Sequence, residues 1–295
     1  MSGCKTEVKV EVNSSLAVDL RRGDCLELLK SLPDQSVDLI LTSPPYGDSR
    51  TYGDLKFRLA GDDWVRWAFE RYMECNRVCR GAVVWVVDSK TSDFQWTGLP
   101  MLLFADLHRA GVRFRKPAIM RRNGFCGSGG PDYWRNDYEF ILVSSHGRLP
   151  WSDNTACGTP PKFPAGGPIS HRDKSGRRAD DVAKAVGRSP RRSPMPAIAN
   201  PGNVIDVKVG GGHMGDEFAH ENEAPFSESL AERFVLSFCP PSGVVLDPMC
   251  GSGTTLKTAL KHGRSAIGFE IRESQLDVVR RRLKKFGEFH YGRIV

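Results

Sequence analysis

Val244-Val245-Leu246-Asp247-Pro248-Met249-Cys250-Gly251-Ser252-Gly253-Thr254-Thr255 is the stretch that decides the fold. The three apolar residues and Asp247 form a short buried strand, and Pro248 stops it. Gly251 and Gly253 then permit a tight turn with close approach to the backbone, and Thr254 to His262 carries helical spacing. A second strand follows from Ala266 to Glu270 and ends on an acid, 19 residues after Gly251. Strand, glycine turn, helix, strand, acid is the βαβ logic of a nucleotide-like ligand, with the carboxylate placed to accept from two ribose hydroxyls. The turn has two of the three dinucleotide glycines, so it departs from the NAD fingerprint.

Upstream, the buried strand Val37-Asp38-Leu39-Ile40-Leu41 runs into Thr42-Ser43-Pro44-Pro45-Tyr46. An exocyclic amine on a nucleobase is a poor nucleophile because its lone pair is delocalised into the ring. Two acceptors on its N–H groups push it towards tetrahedral geometry. Ser43 Oγ and the carbonyl of Pro44 can supply them, Pro44 and Pro45 hold the backbone fixed, and Tyr46 offers an aromatic face for an extruded base. Group transfer to such a nitrogen by direct displacement needs orientation more than a strong base. C5-cytosine chemistry needs a nucleophilic Cys after Pro, and no Pro-Cys dipeptide occurs.

The remaining segments alternate. Strands are expected at Leu16–Leu20, Ala82–Val87, Val112–Met120, Glu139–Ser144 and Val204–Val209, the third and fourth as an antiparallel pair. Helices are expected at Cys25–Leu32, Asp63–Cys79 (capped by Asp62 or Asp63), Pro100–Ala110 (closed by Gly111), Glu228–Phe238 and a basic one ending near Lys285. This predicts an α/β fold with helices on both sheet faces and an inserted irregular segment. Its parts are 14–146, carrying the Ser-Pro-Pro-Tyr loop, the insertion 147–203, and 204–295, carrying the glycine turn.

The two loops together resemble those of β-group amino-methyltransferases of DNA, in which the catalytic loop precedes the cofactor loop. The resemblance covers most of the chain outside the insertion. It implies a circularly permuted Rossmann-like sheet and S-adenosyl-L-methionine as cofactor, held by Asp24, Phe226, Asp247, Pro248, Met249, Gly251, Gly253, Thr254 and Glu270. Met249 stands where the family carries Phe, and Ser227 where it favours Pro. The catalytic residues implied are Ser43, Pro44, Pro45 and Tyr46. Ser-Pro-Pro-Tyr goes mainly with N4-cytosine methylation, and Asp- or Asn-Pro-Pro-Tyr with N6-adenine. N6-adenine methylation, or a DNA-binding protein that has lost catalysis, are the alternatives; the mark of the latter would be damage to Ser43, Tyr46 or the glycine turn, and all are intact.

The formal charge is +7. Between Gly147 and Pro196 ten Lys or Arg face four Asp, so most of the excess lies in the insertion. A localised basic segment suits phosphate contact and base reading in double-stranded DNA. Arg172, Arg177, Arg178, Arg188, Arg191 and Arg192 are the candidates. The eight cysteines have no zinc-ligand spacing, so no metal and mostly buried reduced thiols are expected. No apolar run reaches membrane-spanning length and the first residues lack a signal-peptide pattern, which predicts a cytoplasmic enzyme of a bacterial, archaeal or phage-infected cell. With no nuclease segment in the sequence, a cognate restriction endonuclease would be a separate protein.

Overall fold

The computed structural model describes residues 16–47, 57–124, 129–162, 175–177, 181, 185, 187, 196–209, 216–222, 224 and 226–286. Two compact units are present, Met1–Ser152 with Asn203–Val295, and Asp153–Gly202.

The first unit is built on an eight-stranded sheet. Its strands are β1 (Val18–Arg22), β2 (Val37–Thr42), β3 (Cys79–Val87), β6 (Ala118–Asn123), β7 (Tyr138–Ser144), β8 (Val204–Lys208), β9 (Val244–Asp247) and β10 (Ser265–Glu270). A two-residue pair, β4 (Thr91–Ser92) and β5 (Gln95–Trp96), forms a separate hairpin. The helices are α1 (Cys25–Lys30), α2 (Gly61–Val78), α3 (Leu99–Arg109), α4 (Glu228–Phe238), α5 (Thr254–Lys261) and α6 (Glu273–Leu283).

The sheet order is β1-β10-β9-β2-β3-β7-β6-β8, and every neighbouring pair is parallel except the two made by β7. From β9 the chain steps outward to β10; from β2 it steps outward the other way to β3. Strand order therefore reverses at the β2–β9 pair, and the crevice outside the carboxyl ends there is where open α/β sheets bind ligands. Both sequence motifs leave the sheet at that point.

Period-two alternation splits the core. Ala82, Val84 and Val86 face one side with α4, α5 and α6; Val83, Trp85 and Val87 face the other with α1, α2 and α3. Both faces are covered, which is why β2 and β3 read as near-continuous apolar runs. A bulge in β3 opposite Asp38 requires Gly81, because a Cβ there would lie 1.9 Å from the Asp38 carbonyl oxygen.

Several expectations shift. The strand expected over 112–120 begins only at Ala118, since Val112 closes α3 instead. Gly111 takes φ +91°, and the N–H groups of Gly111 and Val112 bond the His108 and Leu107 carbonyls, a Schellman closure. Helix α2 starts earlier than expected, with Ala60 at the N-cap and no side-chain cap. Asp62 and Asp63 fall inside its first turn, where they complement the helix dipole. The β4–β5 hairpin and the short 3-10 turn Glu217–Glu221 have no counterpart in the sequence reading. In the second unit an isolated bridge joins Thr159 and Ala199. Of the helix expected at 180–186, Asp181 and Ala185 lie in helical backbone and the rest lies outside the described residues.

Candidate active site

The two loops share one cavity of about 630 Å³. Ser43, Pro44, Pro45 and Tyr46 line it from β2, and Asp247, Pro248, Met249, Gly251, Thr254 and Glu270 from the β9–β10 side; Asp24 and Phe226 line it too. Among the residues expected there, Gly253 alone stands behind the wall. Its φ of +79° makes the turn, and a Cβ would press on Val279 of α6 at 3.0 Å, so its glycine serves packing.

The Ser-Pro-Pro-Tyr loop has lost two backbone donors to proline, so its position comes from outside. The Trp64 indole N–H donates to the Pro45 carbonyl at 2.7 Å, and Gly47 N–H joins it at 3.0 Å. The Pro44 carbonyl, by contrast, accepts from no described residue. Ser43 Oγ lies 2.9 Å from the Tyr46 hydroxyl, which donates to Glu139 Oε2 at 2.7 Å. Glu139 is 9% exposed and pairs with Arg122 at 3.5 Å. Burial, with the Glu139 charge beside it, pushes the Tyr46 phenol well above its usual range, so it acts as a hydroxyl.

The glycine turn is held differently. Glu270 closes it: one carboxylate oxygen accepts Gly251 N–H at 2.9 Å and the other Arg272 N–H at 3.0 Å. The second oxygen also accepts Arg272 Nε–H at 3.5 Å, while the first retains acceptor capacity towards the cavity. Gly251 sits at φ +49°, and a Cβ there would lie 2.7 Å from the Asn222 amide nitrogen. Asp247 accepts Met249 N–H at 3.1 Å, and burial pushes its carboxyl up to about 6. Behind the turn lies fully buried Arg282. It donates to the Ser252 carbonyl at 3.1 Å and Thr254 Oγ1 at 2.9 Å, and pairs with Asp216 and Glu228. Lys257 reaches the same two carboxylates. Although burial alone would raise it, Lys257 and Arg282 hold the Asp216 carboxyl below the usual range.

Asp24 does more than line the wall. It caps α1 through Leu26 N–H at 2.8 Å and receives Arg71 on both oxygens at 3.0 and 2.9 Å. Arg71 lies over Trp67 at 4.4 Å, and Trp67 meets Phe57 edge-on at 4.9 Å. Asp24, Trp67 and Phe57 line the cavity, and Arg71 ties the acid to the aromatic pair.

An adenosine with a charged sulfonium fits these residues. There is an acid with spare lone pairs at the strand end, a glycine turn open to the backbone, apolar Met249 and Phe226, and aromatic Trp67 and Phe57. Among the described residues no group of three His, Cys, Asp or Glu could hold a metal, and Cys25, Cys75, Cys79, Cys239 and Cys250 are free thiols.

Sequence reasoning missed Glu139, Arg122, Trp64 and Arg282. A signal existed for the first two. Glu139 shares its strand face with Ile141 and Val143, and Arg122 shares that of Ala118 and Met120, so each is a charge in an apolar stripe. Of the six arginines proposed to contact DNA, Arg177 is described, donating to Ser175 Oγ at 3.1 Å. Arg172, Arg178, Arg188, Arg191 and Arg192 lie outside the described residues.

A family model described as DNA methylase, of the N6/N4 type, matches residues 37–281. The orphan methyltransferase M.BamHII of Bacillus amyloliquefaciens is 28% identical over 267 residues, covering 88% of this chain and 94% of its own. The DNA adenine methyltransferase YhdJ of Escherichia coli K12 is 28% identical over 263 residues, covering 88% and 81%. Among solved structures, the cytosine-N4-specific PvuII DNA methyltransferase superposes with a TM-score of 0.63 at 17% identity, covering 91% of this chain and 93% of that one. The putative DNA modification methylase TTHA0409 of Thermus thermophilus, complexed with S-adenosyl-L-methionine, gives 0.55 at 21% identity, covering 93% and 98%. The sheet is thus the S-adenosylmethionine-dependent methyltransferase fold of these neighbours.

Proposed function

The chain belongs to the N6/N4 DNA methylase family, uses S-adenosyl-L-methionine, and, we propose, methylates the N4 amine of cytosine flipped out of duplex DNA. The observation that carries the proposal is one cavity holding Ser43 beside the glycine turn. The cofactor supplies an electrophilic methyl group on a sulfonium. Ser43 Oγ and the Pro44 carbonyl accept from the two amine hydrogens and turn the nitrogen lone pair towards that methyl. Tyr46, tethered by its hydroxyl, presents its ring to the base. Glu270 accepts from the ribose and Asp24 with its aromatic neighbours walls the adenine end, while Asp247, Pro248, Met249, Gly251, Thr254 and Phe226 complete the cofactor side.

Serine at position 43, rather than Asp or Asn, supports cytosine, and the PvuII neighbour is a cytosine-N4 enzyme. N6-adenine is the second reading, favoured by the name of the relative YhdJ. We further assign target recognition to residues 147–203 between the 14–146 and 204–295 parts. Its arginines would contact phosphates and guanine edges, and a separate endonuclease would recognise the same site. Among the described residues no helix is long and apolar enough to cross a membrane.

The test is incubation with labelled S-adenosyl-L-methionine and unmethylated DNA, digestion to nucleosides and mass spectrometry. N4-methyldeoxycytidine is the expected product. N6-methyldeoxyadenosine overturns the base assignment.

A further inference from the structure

Glu139 places a carboxylate on an otherwise apolar strand face, opposite Met120 and in line with Ile141 and Val143. A buried carboxylate needs donors, and it has Arg122 at 3.5 Å and the Tyr46 hydroxyl at 2.7 Å. Paired with the guanidinium, it accepts only. The single proton of Tyr46 is therefore committed to Glu139. The contact between Ser43 and Tyr46 at 2.9 Å must then use the proton of Ser43. What Ser43 presents to the cavity is lone pairs, and the Pro44 carbonyl beside it presents the same. Ser43 Oγ and the Pro44 carbonyl thus offer two acceptors. That polarity suits an amine and repels a ring carbonyl, such as O6 of guanine or O4 of thymine, which would meet acceptor with acceptor.

We infer that Glu139 is the positioning residue that sets this polarity through Tyr46, and that its carboxylate finally receives the proton shed by the methylated amine. The inference rests on the amine-methylation reading. In the step, the amine nitrogen bonds the methyl carbon as the sulfur–carbon bond breaks, and the bonding pair stays on sulfur. The nitrogen then carries one proton too many. It passes to Ser43 Oγ, the proton of Ser43 passes to Tyr46, and that of Tyr46 to Glu139 Oε2. The hydroxyls end as they began and the carboxylate ends as the acid, which returns its proton to water after the DNA leaves. Neither hydroxyl ionises on its own.

The test uses the full chain, labelled S-adenosyl-L-methionine and unmethylated plasmid DNA under single-turnover conditions, with Glu139→Gln, Tyr46→Phe and the double variant. A glutamine amide can donate to Tyr46 and reverse the chain, so that Ser43 points its proton at the amine. Glu139→Gln should slow methyl transfer about 10²–10⁴-fold, the range of lost proton transfer. Calorimetric affinity for S-adenosyl-L-methionine should change less than about threefold, because Glu139 touches none of the cofactor side. Tyr46→Phe should slow it similarly, and the double variant should lose nothing further, since both break one chain. A Glu139→Gln rate within about threefold of wild type, or losses that multiply in the double variant, overturns the inference. Should Glu139→Gln fail to fold, Tyr46→Phe keeps both ring and carboxylate, and a near-wild-type rate there overturns it equally. If the wild-type product is N6-methyldeoxyadenosine, the cytosine reading fails while these rates still decide Glu139. A wild type that methylates no base overturns both.

Discussion

The two loops that meet in the cavity are held by opposite means. The Ser-Pro-Pro-Tyr loop is rigid in its own backbone but poor in donors, so distant side chains anchor it: Trp64 from α2 and Glu139 from β7. The glycine turn is permissive in its backbone, and its anchors grip the peptide groups: Glu270 takes Gly251 N–H and Arg282 takes the Ser252 carbonyl. Proline fixes a shape and leaves its placement to others. Glycine allows a shape and leaves its rigidity to others. The loop proposed to orient a reacting amine is the first kind, and the loop proposed to mould itself to a cofactor is the second.

If that contrast is right, the largest effect comes from the buried brace of the glycine turn. Arg282→Met strips Asp216 and Glu228 of a buried partner, leaving Lys257 alone, and should cost about 3–5 kcal/mol in urea unfolding. A loss below about 1 kcal/mol would show that the brace is decorative.

Next is the pH response of the turn. The Asp247 carboxyl is raised by burial to about 6 from its ordinary 3.8, so between those values the folded chain holds a proton that the unfolded chain has released. Its contribution is complete below about pH 4 and is lost as pH rises through about 6, worth roughly 3 kcal/mol. Asp247→Asn should flatten that part of the stability profile, read from urea midpoints between pH 4 and 7. An unchanged slope would remove Asp247 as its source.

Glu270→Gln comes third. It keeps the shape but weakens a charge-assisted acceptor by about 2 kcal/mol, so calorimetric affinity for S-adenosyl-L-methionine should fall about thirtyfold. Equal affinity would refute the ribose role. Trp64→Phe should be the smallest. Removing one neutral donor from Pro45 is worth about 1 kcal/mol, so methyl transfer slows about fivefold with cofactor affinity unchanged. A variant that instead lost cofactor affinity would blur the division between the loops.

The sheet was legible because its signals are local. Apolar runs marked β2, β3 and β9, and paired glycines marked the turn before α5. The Ser-Pro-Pro-Tyr loop was legible as a lining of the cavity for the same reason, since Ser43 to Tyr46 are consecutive. The anchors were not, because each bridges a long separation: Tyr46 and Glu139 are 93 residues apart, and Ser252 and Arg282 are 30. No periodicity encodes a bond between two elements whose adjacency only the sheet order creates. The N-cap of α2 was misplaced for a related reason. Asp62 and Asp63 look like caps, yet the same carboxylates are equally at home in a first turn.

The β1–β10 pairing reaches across almost the whole chain, with Val18 beside Ala266 and Arg22 beside Glu270. Asp24 follows the first of these strands and Glu270 ends the second, so the cavity draws its walls from segments made at widely separated times during translation. On a ribosome adding about 5–20 residues per second, the early strand waits tens of seconds for its neighbour. A nascent chain that already displays Ser43 to Tyr46 therefore lacks the Glu270 wall of the cavity until β10 has been made.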